Sequence, residues 1–410
     1  MRIYLIGHYY PPEVGAPQAR LSELAKFWQK HGHEVVVLTG FPNHPTGIIP
    51  IEYRGKIFQK EILNGVEIWR HWLFATPNKG FLKKIIGHIS FMFSCLGLSL
   101  FRGKRPDWIV VSSPTLFSVL IAYLMGKIRR VPFIFEVRDL WPGIFVELGV
   151  LKNPILIKAL ESVEMYLYRK ATKIVVVTQG FKMNISSRGI SDDKITVITN
   201  GVDLSFLDPN KISNEKIVEL KTHFHINNKF VVLYMGAHGI SHGLEVILEV
   251  AKKLRNSNVV FLFVGDGAEK EKLIQLSNSW NLDNVIFHES VERNQTPLYY
   301  SMADACLVPL KNIQGFETFI PSKMFEIMAL KRPILASVRG EAEKILIKSG
   351  SALISTPENA DELVANIEKL KNDEVLSHKL GESGREFVEK NFDREKLANK
   401  YLDIMRETRT

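Results

Sequence analysis

The sequence predicts an α/β protein built from two open parallel-sheet domains. Three observations carry this reading. Short runs of β-branched and aromatic residues alternate with amphipathic helical stretches. The alternation stops near residue 205 and restarts near residue 230. A chain of 410 residues is also long for one core and ordinary for two. The expected division is 1–204 and 205–393, with a last helix in 394–410 crossing back to the first domain.

In the first half, RIYLIG (2–7), EVVVLT (34–39), WIVVSS (108–113), PFIFEV (132–137), KIVVVT (173–178) and ITVIT (195–199) read as buried strands. Apolar runs of this length fit parallel strands covered on both faces. Between the first two, Leu21, Leu24, Ala25 and Trp28 line one helical face, and Gly32 stops the helix. Asn64-Gly65 marks a tight turn in a local hairpin.

Residues 205–228 are polar, with Asp208-Pro209-Asn210 and Asn227-Asn228, and read as a linker. FVVLYMG (230–236) opens the second series, followed by a helix carrying Leu244, Ile247, Leu248 and Ala251. NVVFLFVG (258–265), NVIFHES (284–290), ADACLVPL (303–310) and PILAS (333–337) continue it. Two such series imply two parallel sheets with helices on both faces. Ligands in these sheets sit at the carboxyl ends of strands, and two sheets facing each other make a cleft.

Cys95 and Cys306 lie far apart without CxxC spacing, which argues against a disulfide framework or zinc site and for a reducing compartment. The apolar run at 2–6 is too short for a signal peptide. Residues 1–200 hold 26 Lys and Arg against 14 Asp and Glu, whereas the rest holds 27 against 30. A basic first half suggests an anionic partner: phosphate, a membrane surface or nucleic acid. No zinc finger, RRM core or basic-region heptad is present, so nucleic acid is not expected.

The loop HYYPPEVGAPQAR (8–20) joins the first strand to the first helix, where such a domain offers free amides and a positive helix end to an anion. Gly15-Ala16 permits close backbone approach, Pro17 suits the first helical position, and Arg20 is placed to reach back. The alternative is a connection merely shaped by its prolines. The pattern is not GxGxxG, so a nicotinamide site is not supported.

In IPSKMFEIMALKRPILAS (320–337), Ser322 is a candidate N-cap, and the following helix is apolar nearly all round. Lys323 and Glu326 interrupt it, three residues apart on one face. A buried carboxylate needs hydrogen-bonding partners. Sugar hydroxyls would serve Glu326, and so would Lys323 or the backbone amides of its own helix.

These stretches together resemble the family 4 glycosyltransferases with the GT-B fold, two Rossmann-like domains with parallel sheets facing across a cleft. The likeness covers nearly the whole chain. It rests on the 7–47 segment, EVRDLWPG (136–143), ITNGVD (198–203), VGDGAEKEKL (264–273), LVPL (307–310) and the 320–337 segment, in this order and spacing. The branch it resembles builds O-antigen, colanic-acid or capsular polysaccharide. Some members transfer amino-deoxy sugars such as N-acetyl-L-fucosamine from a UDP donor.

By resemblance, Glu326 matches the second glutamate of E-x7-E, which holds ribose hydroxyls. Ser322 and Lys323 match the segment facing the donor pyrophosphate, Gly236 opens the loop before it, and Gly15 matches the first-domain glycine loop. Ser290 and Val291 match the uracil-contacting segment. Asp139 follows the acceptor-side position where many members have His. Three departures stand out. The first motif glutamate falls on Thr318, with Glu317 one residue away. The usual Arg and Lys after the first strand of the second domain fall on Ala237 and His242. The usual His falls on Arg138. Arg20, Lys323, protonated His242 or Arg138 must then stabilise the leaving pyrophosphate. His242 is also readable as a surface-loop histidine, and Arg138-Asp139 as a structural ion pair at a strand end.

The resemblance implies a metal-independent and retaining transfer, with no cofactor. A UDP-sugar is the donor, and an undecaprenyl-diphosphate-linked saccharide is the acceptor. Helix N-termini and fixed cations would carry the charge of the leaving group. Location is expected to be cytoplasmic, peripheral on the anionic inner face of the cytoplasmic membrane. The apolar stretch 85–101 lies between Lys83, Lys84 and Arg102, Lys104, Arg105. It reads as a core helix or as an interfacial helix docking on anionic lipid, not as a span. A UDP-sugar 2-epimerase of similar fold and a non-catalytic nucleotide-sugar-binding partner are the competing readings.

Overall fold

The computed structural model describes residues 1–13, 15–44, 46–76, 81–113, 115–147 and 149–408. The chain divides into two compact units, Met1–Thr199 with Glu395–Thr410, and Asn200–Arg394.

The first unit runs β1 (Arg2–Ile6), α1 (Ala16–Lys30), β2 (Glu34–Gly40), β3 (Phe58–Leu63), β4 (Val66–His71), α2 (Phe81–Ser99), β5 (Trp108–Ser112), α3 (Leu116–Arg129), β6 (Phe133–Val137), α4 (Gly143–Glu147), α5 (Pro154–Lys170), β7 (Lys173–Val176), α6 (Gln179–Ser187) and β8 (Ile195–Val197). The second runs α7 (Asn214–His223), β9 (Phe230–Met235), α8 (Glu245–Lys253), β10 (Val259–Val264), α9 (Lys270–Ser279), β11 (Val285–His288), α10 (Thr296–Met302), β12 (Ala305–Pro309), α11 (Lys323–Ala329), β13 (Ile334–Ser337), α12 (Gly340–Ser349), β14 (Ala352–Ser355), α13 (Ala360–Asn372) and α14 (Glu374–Asn391). The last helix is α15 (Arg394–Glu407).

Among the described residues the first sheet has the order β3-β4-β2-β1-β5-β6-β7-β8. It is parallel except for β3, which returns on β4 through Asn64 and Gly65, both at positive φ (52° and 81°). That is the backbone an Asn-Gly hairpin turn requires. The second sheet, β11-β10-β9-β12-β13-β14, is parallel throughout. Among the parallel strands each order reverses direction once, at β1/β5 and at β9/β12. A topological switch point leaves a crevice at the carboxyl ends of its strands.

The apolar strand runs fill the two cores. Leu21, Leu24, Ala25 and Trp28 of α1 pack with Ile3, Leu5, Val35 and Val37. Leu397, Ala398, Tyr401, Leu402 and Met405 of α15 belong to the same cluster, and the Trp28 indole donates to the Ala398 carbonyl at 3.1 Å. The first crossing comes at Thr199–Asn200 rather than after 204, because residues 200–202 already pair with the tail of the second unit. Val202 donates to Phe392 (2.9 Å) and accepts from Arg394 (3.0 Å). The 205–228 stretch is not a plain linker. It holds α7, which Ser213 caps at Lys216 N (3.3 Å) and which is followed by Phe224 against His288 and Tyr299. Its apolar positions are too few to stand out from the polar stretch around them.

Both cysteines are buried and free. No helix of the described residues is long and apolar enough to cross a membrane. Among its described residues α2 buries the edge formed by Gly87, Phe91, Cys95 and Ser99 and leaves Ile86 and Phe93 exposed.

Candidate active site

In the second unit the site residues gather around the β9/β12 switch point. Gly236 follows β9 with φ +141°, and Gly265 follows β10 with φ +140°. A Cβ on Gly265 would stand 2.0 Å from the Gly236 carbonyl oxygen, and one on Gly267 would stand 2.5 Å from that of His238. Only glycine fits where two loops touch this closely. The His238 amide donates to Asp266 (2.9 Å), and Glu269 donates back to His238 (3.0 Å). The glycines of VGDG therefore fix the loop that Gly236 opens.

Lys323, at the start of α11, lies beneath that loop. Its ammonium sits 3.8 Å over the Tyr234 ring, and a Cβ on Gly236 would stand 3.0 Å from it. The Tyr234 hydroxyl donates to the Ala237 carbonyl at 2.6 Å, which pins the ring beneath the loop. The Lys323 Nζ is buried with no hydrogen-bond partner. Burial lowers its pKa to about 7, with Glu326 and the Cys306 thiol opposing the fall.

Glu326, one turn further on, is not paired with Lys323. Its Oε1 lies 2.7 Å from Nη1 of Arg293, whose guanidinium also covers the Phe206 ring at 5.0 Å. Arg293 starts a 3₁₀ turn two residues beyond Val291, so the loop that carries Ser290 and Val291 is tied to Glu326. Arg293 was not anticipated from the sequence, where nothing distinguishes it from other surface arginines. Ser290 is exposed and Val291 half-buried. Ser322 occupies the N-cap position of α11 but has helical φ and ψ (−62°, −26°), and its side chain makes no capping bond.

His242 does not supply positive charge. Its Nδ1 lies 3.4 Å from the Pro309 carbonyl. Burial brings its pKa down to about 3, Lys323 adding to the fall and the carbonyl opposing it. His238 is likewise held neutral, lowered to about 4 by burial and then by Lys270 and Lys323. Glu317 lies on the 3₁₀ turn Gln314–Thr318 and is exposed, lining a shallow pocket with Lys311, Phe316 and Arg339. Thr318 spends its hydroxyl on the Gly315 carbonyl (3.1 Å).

In the first unit, Arg20 is turned inward, against the expectation that it reaches an anion. Its guanidinium donates to Glu136 (2.7 Å), to the Thr199 and Ile198 carbonyls (2.8 and 3.1 Å) and to the Tyr401 hydroxyl (3.0 Å). Tyr401 in turn donates to Glu136. Burial alone would raise the Glu136 carboxyl, but Arg20 and then Arg138 outweigh it and bring it to about 2. Gly15 has φ 160°, an extended backbone open to any residue, and a Cβ there would meet only the flexible end of Gln18. Its conformation therefore does not demand glycine.

Arg138 and Asp139 follow β6, and the Arg138 amide donates to the Ser113 hydroxyl beyond β5 at 2.8 Å. Burial raises the Asp139 carboxyl, with Arg138 opposing. Glu13 anchors the loop after β1. It accepts from the amides of Tyr10 (3.1 Å), Asn43 and His44 (both 2.8 Å). Beside it, the His8 ring packs against His88 of α2 at 4.1 Å and Phe91 at 5.0 Å.

Residues 216–387 match the family described as glycosyl transferases group 1, and residues 15–201 match the glycosyl transferase 4-like domain. The chain belongs to the glycosyltransferases. This glycosyltransferase is 23% identical over 99% of its length to WcaI of Escherichia coli K12, named for colanic acid biosynthesis, covering all of that protein. It is 24% identical over 86% of its length to the capsular polysaccharide biosynthesis glycosyltransferase CapM of Staphylococcus aureus, covering 88% of it. The crystal structure of HepE from Anabaena in complex with UDP and glucose covers 99% of this glycosyltransferase and 100% of that chain, at a TM-score of 0.75 and 16% identity. The sucrose-phosphate synthase structure from Thermosynechococcus elongatus matches at 0.74 and 18%, covering 99% and 98%. These likenesses show the GT-B fold.

Proposed function

We propose that this glycosyltransferase moves a sugar from a UDP-sugar to a lipid-linked saccharide during assembly of a bacterial surface polysaccharide. The observation that carries the reading is the Glu326–Arg293 pair. It holds a carboxylate of the first turn of α11 against the loop that carries Ser290 and Val291, through Arg293. A carboxylate oriented by a guanidinium on one side retains lone pairs for the two ribose hydroxyls. Ser290 and Val291 receive the uracil, and the Gly236 loop and the Ser322–Lys323 backbone face the diphosphate.

Similarity to proteins named for colanic acid and capsule biosynthesis supports the pathway class. Among donors, the resemblance to N-acetyl-L-fucosamine transferases puts UDP-amino-deoxy sugars first. Transfer is retaining and metal-independent in this reading, with Asp139 on the acceptor side of the first unit. The lipid of the acceptor places the enzyme at an anionic membrane surface. Exposed Ile86, Phe93 and Phe101 beside Lys83, Lys84, Arg102, Lys104 and Arg105 support that contact.

The test is incubation with a panel of UDP-sugars and undecaprenyl-diphosphate-linked saccharides. An extended lipid saccharide supports the proposal. An epimerised free donor, or binding without any product, overturns it in favour of an epimerase or a non-catalytic partner.

A further inference from the structure

We infer that Lys323 is the cation that takes up the diphosphate charge of the donor, replacing the basic pair absent at Ala237 and His242. The inference rests on the donor reading above and goes further by naming the group that discriminates a diphosphate from a bare nucleoside.

Several of the other groups the sequence offered for this role are neutral or already paired. Ala237 has no charge, and His242 is neutral beside the Pro309 carbonyl. Arg20 is consumed inside the first unit by Glu136, Tyr401 and two carbonyls. Arg293 is held by Glu326. Of the two buried ammonium groups here, Lys270 is satisfied by the Gly265 and His288 carbonyls (2.9 and 3.1 Å) and lies 3.4 Å from Glu289. Lys323 has a ring beneath its ammonium and no hydrogen-bond partner.

A buried ammonium carries three donors, and leaving all of them unused is costly. An anion arriving through the Gly236 loop would satisfy them. The absence of a side chain at Gly236 is what lets the ammonium lie this close beneath the loop, since a Cβ there would stand 3.0 Å from the Lys323 Nζ. Tyr234 holds the ammonium by its ring face while its hydroxyl ties down the loop, so the cation and the amides around it are preorganised together. An arriving diphosphate also favours the charged form of a lysine that burial has brought near neutrality.

The experiment compares calorimetric dissociation constants for UDP and uridine in the full chain and in Lys323→Met and Lys323→Arg. One charge-assisted contact is worth about 10- to 100-fold in affinity. The expected result is a wild-type preference for UDP over uridine that falls by that factor in Lys323→Met. Uridine affinity stays unchanged, and Lys323→Arg keeps part of the preference. An undiminished preference in Lys323→Met overturns the inference while leaving the donor reading intact. So does a parallel loss of uridine and UDP binding, which would make Lys323 a support for the whole pocket. A wild-type chain that binds neither compound overturns the donor reading itself.

Discussion

Arg20 and Glu136 lie 2.7 Å apart, with side chains only 2% and 0% exposed. The pair joins α1 to β6 and, through the Ile198 and Thr199 carbonyls and Tyr401, to the two places where the chain leaves and re-enters the first unit. Breaking a buried pair by removing one partner leaves an uncompensated charge and costs about 3–5 kcal/mol. Arg20→Met is therefore expected to lose about that much in urea unfolding. The double variant Arg20→Met/Glu136→Leu should recover much of the loss. The same pair sets an acid limit. The folded carboxyl is held at about 2, below its unfolded value, so its stabilisation is present above about pH 4.5 and is lost as pH falls towards 2.

A second pH effect comes from histidines. Burial lowers His71 and His88 to about 4 and His8 well below its ordinary value, with further lowering from Arg102, Lys84 and His88 respectively. The folded state prefers each ring neutral, while the unfolded chain protonates it near pH 6.5. Stability is thus complete above about pH 6.5 and declines as pH falls towards 4. Thermal unfolding at pH 7.5 and pH 5 checks this. The midpoint should drop at pH 5, and His88→Phe, which keeps a ring against His8, should shrink the drop.

Membrane docking makes a separate prediction. Each lysine or arginine near an anionic surface is worth about 1 kcal/mol. Replacing Lys83, Lys84, Arg102, Lys104 and Arg105 with glutamine should release the protein from phosphatidylserine-containing liposomes in co-sedimentation and leave UDP binding unchanged. Equal retention of the variant and the parent would remove α2 and its flanks as the docking surface.

The two-sheet plan was legible because its strands are buried on both faces and read as uninterrupted apolar runs. β14 was not, since ALIS (352–355) is too short to separate from its surroundings. α7 hid within a polar stretch. Glu136, a lone acid within an otherwise apolar strand, and Arg20, on the same helical face as Leu21, Leu24 and Trp28, did carry a signal that each required a buried partner. Their distance of 116 residues along the chain concealed that they were each other's. Glu326 stood out as a polar island, but its partner Arg293 comes from another loop, and only the fold brings it near. His242 shows the opposite limit. Its residue type suggested a cation, and only its burial reveals a neutral ring.

The donor site is tested most directly by where a uridine nucleotide lodges. Hydrogen exchange read by mass spectrometry, with and without saturating UDP, locates it without relying on turnover. Slowed exchange is expected in the peptides that carry Gly236–Gly243, Ser290–Arg293 and Ser322–Glu326, and it should be abolished in Glu326→Ala at the same UDP concentration. Protection confined to other segments of the chain, or none at saturating UDP, would contradict the donor reading.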